Sequence, residues 1–152
     1  FVPLPFVHME APLFRRGNAR RGPSYREALL MHSVARLVLH PLIKNIQVSW
    51  VKMGKEGAAA CLKAGCNDLG GTLMNESITR AAGTIHGQEM RPVEMHQLIK
   101  EAGRIPRTRN MFYENTETVR CISNGGYKSC CSSPSIGIAK IHNSNFVDRT
   151  EQ

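Results

Sequence analysis

The chain has 152 residues, enough for one domain, with a net charge of +8 and 41% apolar residues. It has no long apolar run of transmembrane length and no charged-then-apolar leader, so a soluble, cytoplasmic chain with no membrane partner is expected. The basic charge is spread except at Arg15, Arg16, Arg20 and Arg21. No aromatic residues interleave there to stack on bases, so a solvated loop is expected rather than a nucleic-acid surface.

Residues 1–7 are apolar and read as a strand. Termini are usually polar and mobile, so an apolar start suggests a piece of a longer protein. Pro3 and Pro5 remove successive donors on one side, which makes this strand an edge or a weakly paired one. His8 and Glu10 follow at its C-terminal end, a histidine beside a carboxylate where α/β sites form; an exposed loop pair is the plainer reading.

Residues 11–22 read as an Arg- and Gly-rich loop. Ser24 opens a helix, with Ser24 and Glu27 forming a capping box. Leu30, Val34, Leu37 and Val38 make an apolar stripe, and Pro41 stops the helix near His40. His32 and His40 are taken as structural. Residues 45–53 alternate, with Ile46, Val48 and Trp50 on one face and Gln47, Ser49 and Val51 on the other. Gln47 and Ser49 suggest a polar, ligand-holding interior; a half-exposed antiparallel strand gives the same pattern.

Residues 54–64 read as an alanine-rich helix stopped by Gly65. Asn67-Asp68-Leu69-Gly70-Gly71-Thr72-Leu73-Met74-Asn75-Glu76 then reads as a third strand running into a helix. Asp68, Gly70 and Thr72 share a face, and the paired glycines let a ligand or another backbone come close. A glycine-rich turn that only packs a helix fits equally well. Residues 76–82 begin that helix, broken at Gly83. Pro92 starts another, with Val93, Leu98, Ile99 and Ala102 inward and Gly103 at its end.

Strands alternating with helices imply right-handed βαβ units and a parallel sheet. Three strands cannot close a barrel. Residues 114–152 are rich in Asn, Ser, Thr and Gly and are expected to form an irregular, poorly ordered tail, with a weak strand hint at Ile136, Ile138 and Ile141. The five cysteines are Cys61, Cys66, Cys121, Cys130 and Cys131. Their odd number and spacing point to neither a disulfide framework nor a zinc site, and Cys61 and Cys66 read as buried small hydrophobes.

Three segments carry a resemblance. Pro3-Leu4-Pro5-Phe6-Val7-His8-Met9-Glu10-Ala11-Pro12 is similar to the FO synthase family, as are Asn45-Ile46-Gln47-Val48-Ser49-Trp50-Val51-Lys52-Met53-Gly54 and residues 67–78. The likeness covers residues 1–113 and is closest to the half that uses tyrosine as a 4-hydroxyphenyl donor. FO is 7,8-didemethyl-8-hydroxy-5-deazariboflavin. The resemblance implies the last three βα units of a TIM-type radical-SAM barrel, a C-terminal fragment completed by a missing N-terminal part. It also implies S-adenosyl-L-methionine and a 4Fe-4S cluster in the full-length parent. The substrates it implies are tyrosine and 5-amino-6-(D-ribitylamino)uracil, with a 4-hydroxybenzyl group transferred. The family holds its cluster with CxxxCxxC, and no such motif occurs here, so this chain is expected to bind no cluster and to be inactive alone.

On this resemblance, His8 is the candidate catalytic residue. Glu10, Gln47, Ser49, Asp68, Gly70, Gly71, Thr72, Asn75 and Glu76 are the candidate substrate- or S-adenosylmethionine-binding residues. The competing readings are a non-catalytic module that pairs through exposed sheet edges, and a fragment of a related menaquinone-pathway enzyme.

Overall fold

The computed structural model of the chain describes residues 1–73, 75–116 and 138–142. They form a mixed helix–strand unit, with no closed barrel among the described residues. Cys121, Cys130, Cys131 and Ile136, with most of the expected tail, lie outside the described residues.

Residues 1–7 are extended but form no named strand. The Phe1 ammonium donates to the Asn45 carbonyl at 2.8 Å, and Gln47 N–H donates to the Phe1 carbonyl at 2.9 Å. One residue bonding to positions two apart is the parallel pattern. A short helix α1, Pro12–Arg15, follows, and then α2, Tyr25–Leu39. The Ser24 box is formed: Ser24 N–H donates to Glu27 Oε2 at 2.7 Å, and Glu27 N–H donates to Ser24 Oγ at 3.3 Å.

The buried face of α2 is not the expected stripe. Ala28, His32 and Ala35 turn inward, while Leu30, Val34, Leu37 and Val38 are exposed. The helix is apolar on two sides, and the side with small residues is the one that packs on α3, Trp50–Lys63. Facing it are Gly57, Ala58 and Cys61, whose small size lets the two helices come close.

The second extended segment is also shorter than expected. Ile46 and Val48 are fully buried, but the backbone turns helical at Trp50, where Lys52 and Met53 N–H groups already donate to the Ser49 carbonyl. Alternation and the first helical turn bury the same positions, so the pattern alone placed residues 50–53 in a strand. Gly54, at φ 71°, kinks α3 after that first turn.

Strand β1 is Asp68–Gly71. Its parallel contact with the preceding segment survives: Gln47 bridges Asp68, Asn67 N–H donates to Ile46 O at 3.1 Å, and Val48 N–H to Asp68 O at 2.9 Å. After α4, Ile78–Ala81, and α5, Pro92–Glu101, comes a strand missing from the sequence reading, β2, Ile105–Arg109. Two further strands, β3 at Asn115–Thr116 and β4 at Ile138–His142, come from the stretch expected to be irregular. The sheet order is β1-β4-β2-β3, and all these pairs are antiparallel. The expected parallel sheet is therefore corrected: β4 lies between β1 and β2, and among the described residues the parallel contacts are the short ones of Phe1 with Asn45 and Gln47 and of Gln47 with Asp68.

Helices α3 and α5 pack together and against the sheet. The core between them holds Ile46, Val48, Leu62, Leu69, Met95 and Ile99. On α5, Leu98 and Ile99 are buried as expected, but Val93 is 76% exposed and Met95 takes the inward place.

Candidate functional site

Because Ile46, Val48 and Leu69 point into the core, Gln47 and Asp68 point to the opposite side of their shared bridge. A polar row is built there. Gly70 sits at φ +72°, and a Cβ on it would lie 2.5 Å from Gln47 Nε2, so the Gln47 amide rests against the glycine backbone. Only glycine takes this conformation and this approach without strain. Gly70 N–H donates to Asp68 Oδ1 at 2.7 Å. Asp68 Oδ2 accepts from Arg109 Nε at 2.9 Å and Nη2 at 2.6 Å. The Arg109 guanidinium lies 3.8 Å from the centre of the Tyr113 ring, a stacked cation–π contact, and its Nη1 donates to the Asn110 carbonyl at 3.1 Å.

Asp68 and Arg109 side chains are 0% and 4% exposed. A carboxylate and a guanidinium taken this far out of water must be paired, and the two-donor geometry satisfies that need. Asp68 thus holds Arg109 in place, with the flat guanidinium against the Tyr113 ring.

The remaining expected residues are distributed around this row. Ser49 is the N-cap residue of α3, half-buried, and makes no side-chain cap bond. Gly71 offers its carbonyl to Trp50 Nε1 at 3.0 Å. Thr72 is half-buried and Asn75 exposed. Glu76 accepts from Thr79 N–H through both oxygens at 3.0 Å, which caps α4. His8 Nδ1 accepts from Gly22 N–H at 3.3 Å, so the neutral ring carries its proton on Nε2, and its ring meets Phe14 edge-on at 4.8 Å. Glu10 pairs with Arg15 at the surface and lines a cleft of about 610 Å³. That cleft is walled by Leu4–Val7, Ala81 and Ala82, with Lys52 as its cation; Lys52 Nζ donates to Thr79 Oγ1 at 2.9 Å. A second cleft, of about 720 Å³, lies where the 86–90 loop meets Trp50, Met53 and Gly54, and holds none of the expected residues.

The structure therefore brings Gln47, Asp68 and Gly70 together and puts His8 and Glu10 in a separate N-terminal neighbourhood. Sequence reasoning missed Arg109, Tyr113 and Lys52. The one available signal for Arg109 was the Gly103 stop followed by Ile105, Arg107 and Arg109 at alternate positions.

A 4Fe-4S cubane takes thiolates grouped around one site. Among the described residues only Cys61 and Cys66 are present, buried beside His32. Two thiols with one imidazole do not supply the four-thiolate set, or the clustered three-thiolate set, that a cubane takes, so these residues do not fit the group.

A polar row on the far side of a short parallel contact, with α3 and α5 behind the sheet, marks the chain as a mixed α/β module. The description CofH/MqnC C-terminal region matches residues 1–122, and the chain belongs to that family. It is 54% identical over 114 residues to the 5-amino-6-(D-ribitylamino)uracil--L-tyrosine 4-hydroxyphenyl transferase of Methanopyrus kandleri, covering 75% of this chain and 31% of that protein. The transferase of the same name from Methanocaldococcus jannaschii is 45% identical over 117 residues, 77% of this chain and 33% of its own length. FO synthase of Streptomyces avermitilis is 48% identical over 113 residues, 74% of this chain and 13% of that protein. The chain thus spans about a third of the two transferases, the shares being 31% and 33%. No solved structure matches it.

Proposed function

We propose that this chain is the C-terminal part of an enzyme of deazaflavin (FO) coenzyme formation that moves a 4-hydroxybenzyl group from tyrosine to 5-amino-6-(D-ribitylamino)uracil. The observation that carries the reading is the 54% identity to a transferase named for those two substrates. The family description joins two named groups, and the names of the relatives favour the transferase over the menaquinone-pathway reading.

In this reading the chain is the last part of a TIM-type barrel, and the cluster and S-adenosylmethionine chemistry implied by the family resemblance belong to the rest of the parent. This chain binds and orients. The Gln47 amide offers a donor and an acceptor to a uracil ring or to ribityl hydroxyls. Gly70 and Gly71 let the ligand reach backbone. Asp68 acts through Arg109, which it holds flat against Tyr113. Ser49, Thr72 and Asn75 add hydroxyl and amide contacts, and Glu76 orders the start of α4 beside them. His8, carrying its proton on Nε2, exchanges a proton with the tyrosine-derived fragment, with Glu10 at the same end. Positioning contacts of this kind hold reacting atoms in register, and their loss uncouples steps.

The test is a chimera in which residues 1–114 replace the matching segment of the Methanopyrus transferase. Transfer of the 4-hydroxybenzyl group is expected, and Gln47→Ala within the chimera should lower it ~10-fold or more, the loss of one buried positioning hydrogen bond. S-adenosylmethionine cleavage should fall less. A folded, cluster-loaded chimera that cleaves S-adenosylmethionine but makes no transfer product would overturn the reading.

A further inference from the structure

Away from the polar row, helices α2 and α3 enclose three groups that the transferase reading does not use. His32 is 0% exposed, Cys61 0% and Cys66 3%. The His32 ring nitrogen and the two sulfurs all lie within 4.8 Å of one another. We propose that His32 Nε2, Cys61 Sγ and Cys66 Sγ form a binding site for one thiophilic d¹⁰ cation, Zn²⁺ or Cu(I).

The first support is the histidine. Its Nδ1 lies 2.7 Å from the Ala28 carbonyl, which can only accept, so Nδ1 carries the proton and Nε2 carries the lone pair. A backbone carbonyl on one ring nitrogen, orienting the other toward a metal, is the usual outer-shell arrangement of a ligating histidine. Nε2 itself is fully buried and has no hydrogen-bond partner of ordinary geometry. A buried acceptor left so is destabilising, and the atoms it faces are the two thiols.

The second support is the turn that brings the thiols together. Helix α3 ends at Lys63; Gly65 takes φ +116°, and Cys66 N–H reaches back to the Cys61 carbonyl at 3.0 Å. That six-to-one bond is the Schellman closure, which sets the residue after the glycine over the one five positions earlier. An apolar pair commonly fills those two places; here both are cysteines. Arg36 locks the turn: Nε donates to the Gly65 carbonyl at 2.7 Å, Nη1 to the Lys44 carbonyl at 2.9 Å and Nη2 to Asn67 Oδ1 at 2.8 Å. The ligand set is therefore held from both sides before any cation arrives. Bond lengths of ~2.3 Å to sulfur and ~2.0 Å to nitrogen put ligand atoms roughly 3.5–4 Å apart, so from within 4.8 Å the group needs to draw in by at most about 1.3 Å.

The chemistry of the donors agrees. Cys66 donating to Cys61 pulls Cys61 below the usual thiol range, against its burial; the same hydrogen bond and burial hold Cys66 up. Binding releases the remaining thiol protons and puts a cation between two sulfurs and a neutral imidazole, a set that suits Zn²⁺ and Cu(I) and not hard cations. The spacing, four residues between the cysteines and a histidine 29 positions before the first, matches no familiar zinc pattern because a helix C-terminus, not a knuckle, makes the turn. This inference stands apart from the transferase reading and fails or holds independently of it.

The experiment uses the full 152-residue chain, reduced and freed of metal, on a background with Cys121→Ser, Cys130→Ser and Cys131→Ser. Co²⁺ is titrated first as a spectroscopic probe, then displaced by Zn²⁺; Cu(I) is titrated separately against a chromogenic chelator. One equivalent of Co²⁺ with thiolate charge-transfer absorption, bleached by one equivalent of Zn²⁺, supports a zinc site. Stoichiometric Cu(I) that resists the chelator, without the cobalt signal, supports a copper(I) site. Cys66→Ser and His32→Gln should each weaken binding at least 100-fold. Circular dichroism checks that each variant folds, and Cys66→Ala, which keeps the turn and the apolar contact, serves if the serine variant does not. A folded parent that takes up no probe cation under reducing conditions would overturn the proposal, as would binding unchanged in a folded variant.

Discussion

Arg109 reaches Asp68 Oδ2 through Nε at 2.9 Å and Nη2 at 2.6 Å, across a sequence separation of 41 residues and with both side chains out of solvent. This pair ties β2 to β1 on the face away from the helices. Breaking a buried pair by removing one partner strands a charge, which costs about 3–5 kcal/mol. Arg109→Leu is therefore expected to lower unfolding stability by about that amount in urea titrations. The double variant Asp68→Asn, Arg109→Leu should lose clearly less than the single one, since no ion is left behind. Additive losses in the double-mutant cycle would show that the two residues do not act as a pair.

What could be read from the sequence was local. The Ser24–Glu27 box, the Gly65 stop and the start of α5 at Pro92 each depend on a few adjacent residues, and each is formed as expected. What could not be read depended on distant partners. Asp68 was expected as a site-facing carboxylate, and its pairing with Arg109 was not legible. Strand β2 was hidden by Pro106, which argues against a strand, and its pairing with β4 lies far ahead in the chain, Ile105 opposite His142. On α2 two apolar faces compete. Side-chain size favours Leu30, Val34 and Leu37, whereas close packing on Gly57 and Ala58 selects Ala28, His32 and Ala35. The cysteine cluster was missed because nothing in linear spacing says that α2 carries a histidine to the end of α3.

The capping box at the start of α2 gives a prediction with a pH dependence. The Ser24 backbone N–H, then its hydroxyl, holds Glu27 below its ordinary value of 4.5. A carboxyl lowered by folding stabilises the fold when ionised, above its unfolded value, and that contribution fades as pH falls through the lowered one. Ser24→Ala should cost about 1 kcal/mol at neutral pH. The difference between parent and variant should shrink on acidification below the ordinary carboxylate range, read as converging thermal midpoints. A gap that widened with acid would contradict the box.

Two glycines separate conformational strain from steric conflict. Gly87 and Gly103 both sit at positive φ, +84° and +74°. A Cβ at Gly103 would meet nothing within 4 Å, while one at Gly87 would overlap the Val51 carbonyl. Gly103→Ala should cost about 1–2 kcal/mol, the left-handed penalty alone. Gly87→Ala should cost more, since backbone must move, and it should displace the 86–90 loop from Trp50 and open the larger cleft. Equal losses for the two variants in chemical denaturation would remove the close approach as a cause.

The exposed stripe on α2 carries the last prediction. Leu30, Val34, Leu37 and Val38 are 49%, 52%, 79% and 70% exposed, at positions that share one face of the helix. Contiguous apolar surface is seldom left open on a monomer, and each square ångström of it returned to an apolar contact is worth about 25 cal/mol. Within a longer parent, the rest of the chain is the expected cover. The 152-residue chain alone has only a second copy to use. It is therefore expected to run as a self-associated species in size-exclusion chromatography with light scattering. Leu37→Lys with Val38→Lys should shift it toward the monomer mass with unchanged helical circular dichroism, because neither residue touches the buried face of Ala28, His32 and Ala35. A chain that is monomeric before the substitutions, or one whose association ignores them, would place the cause elsewhere than on this stripe.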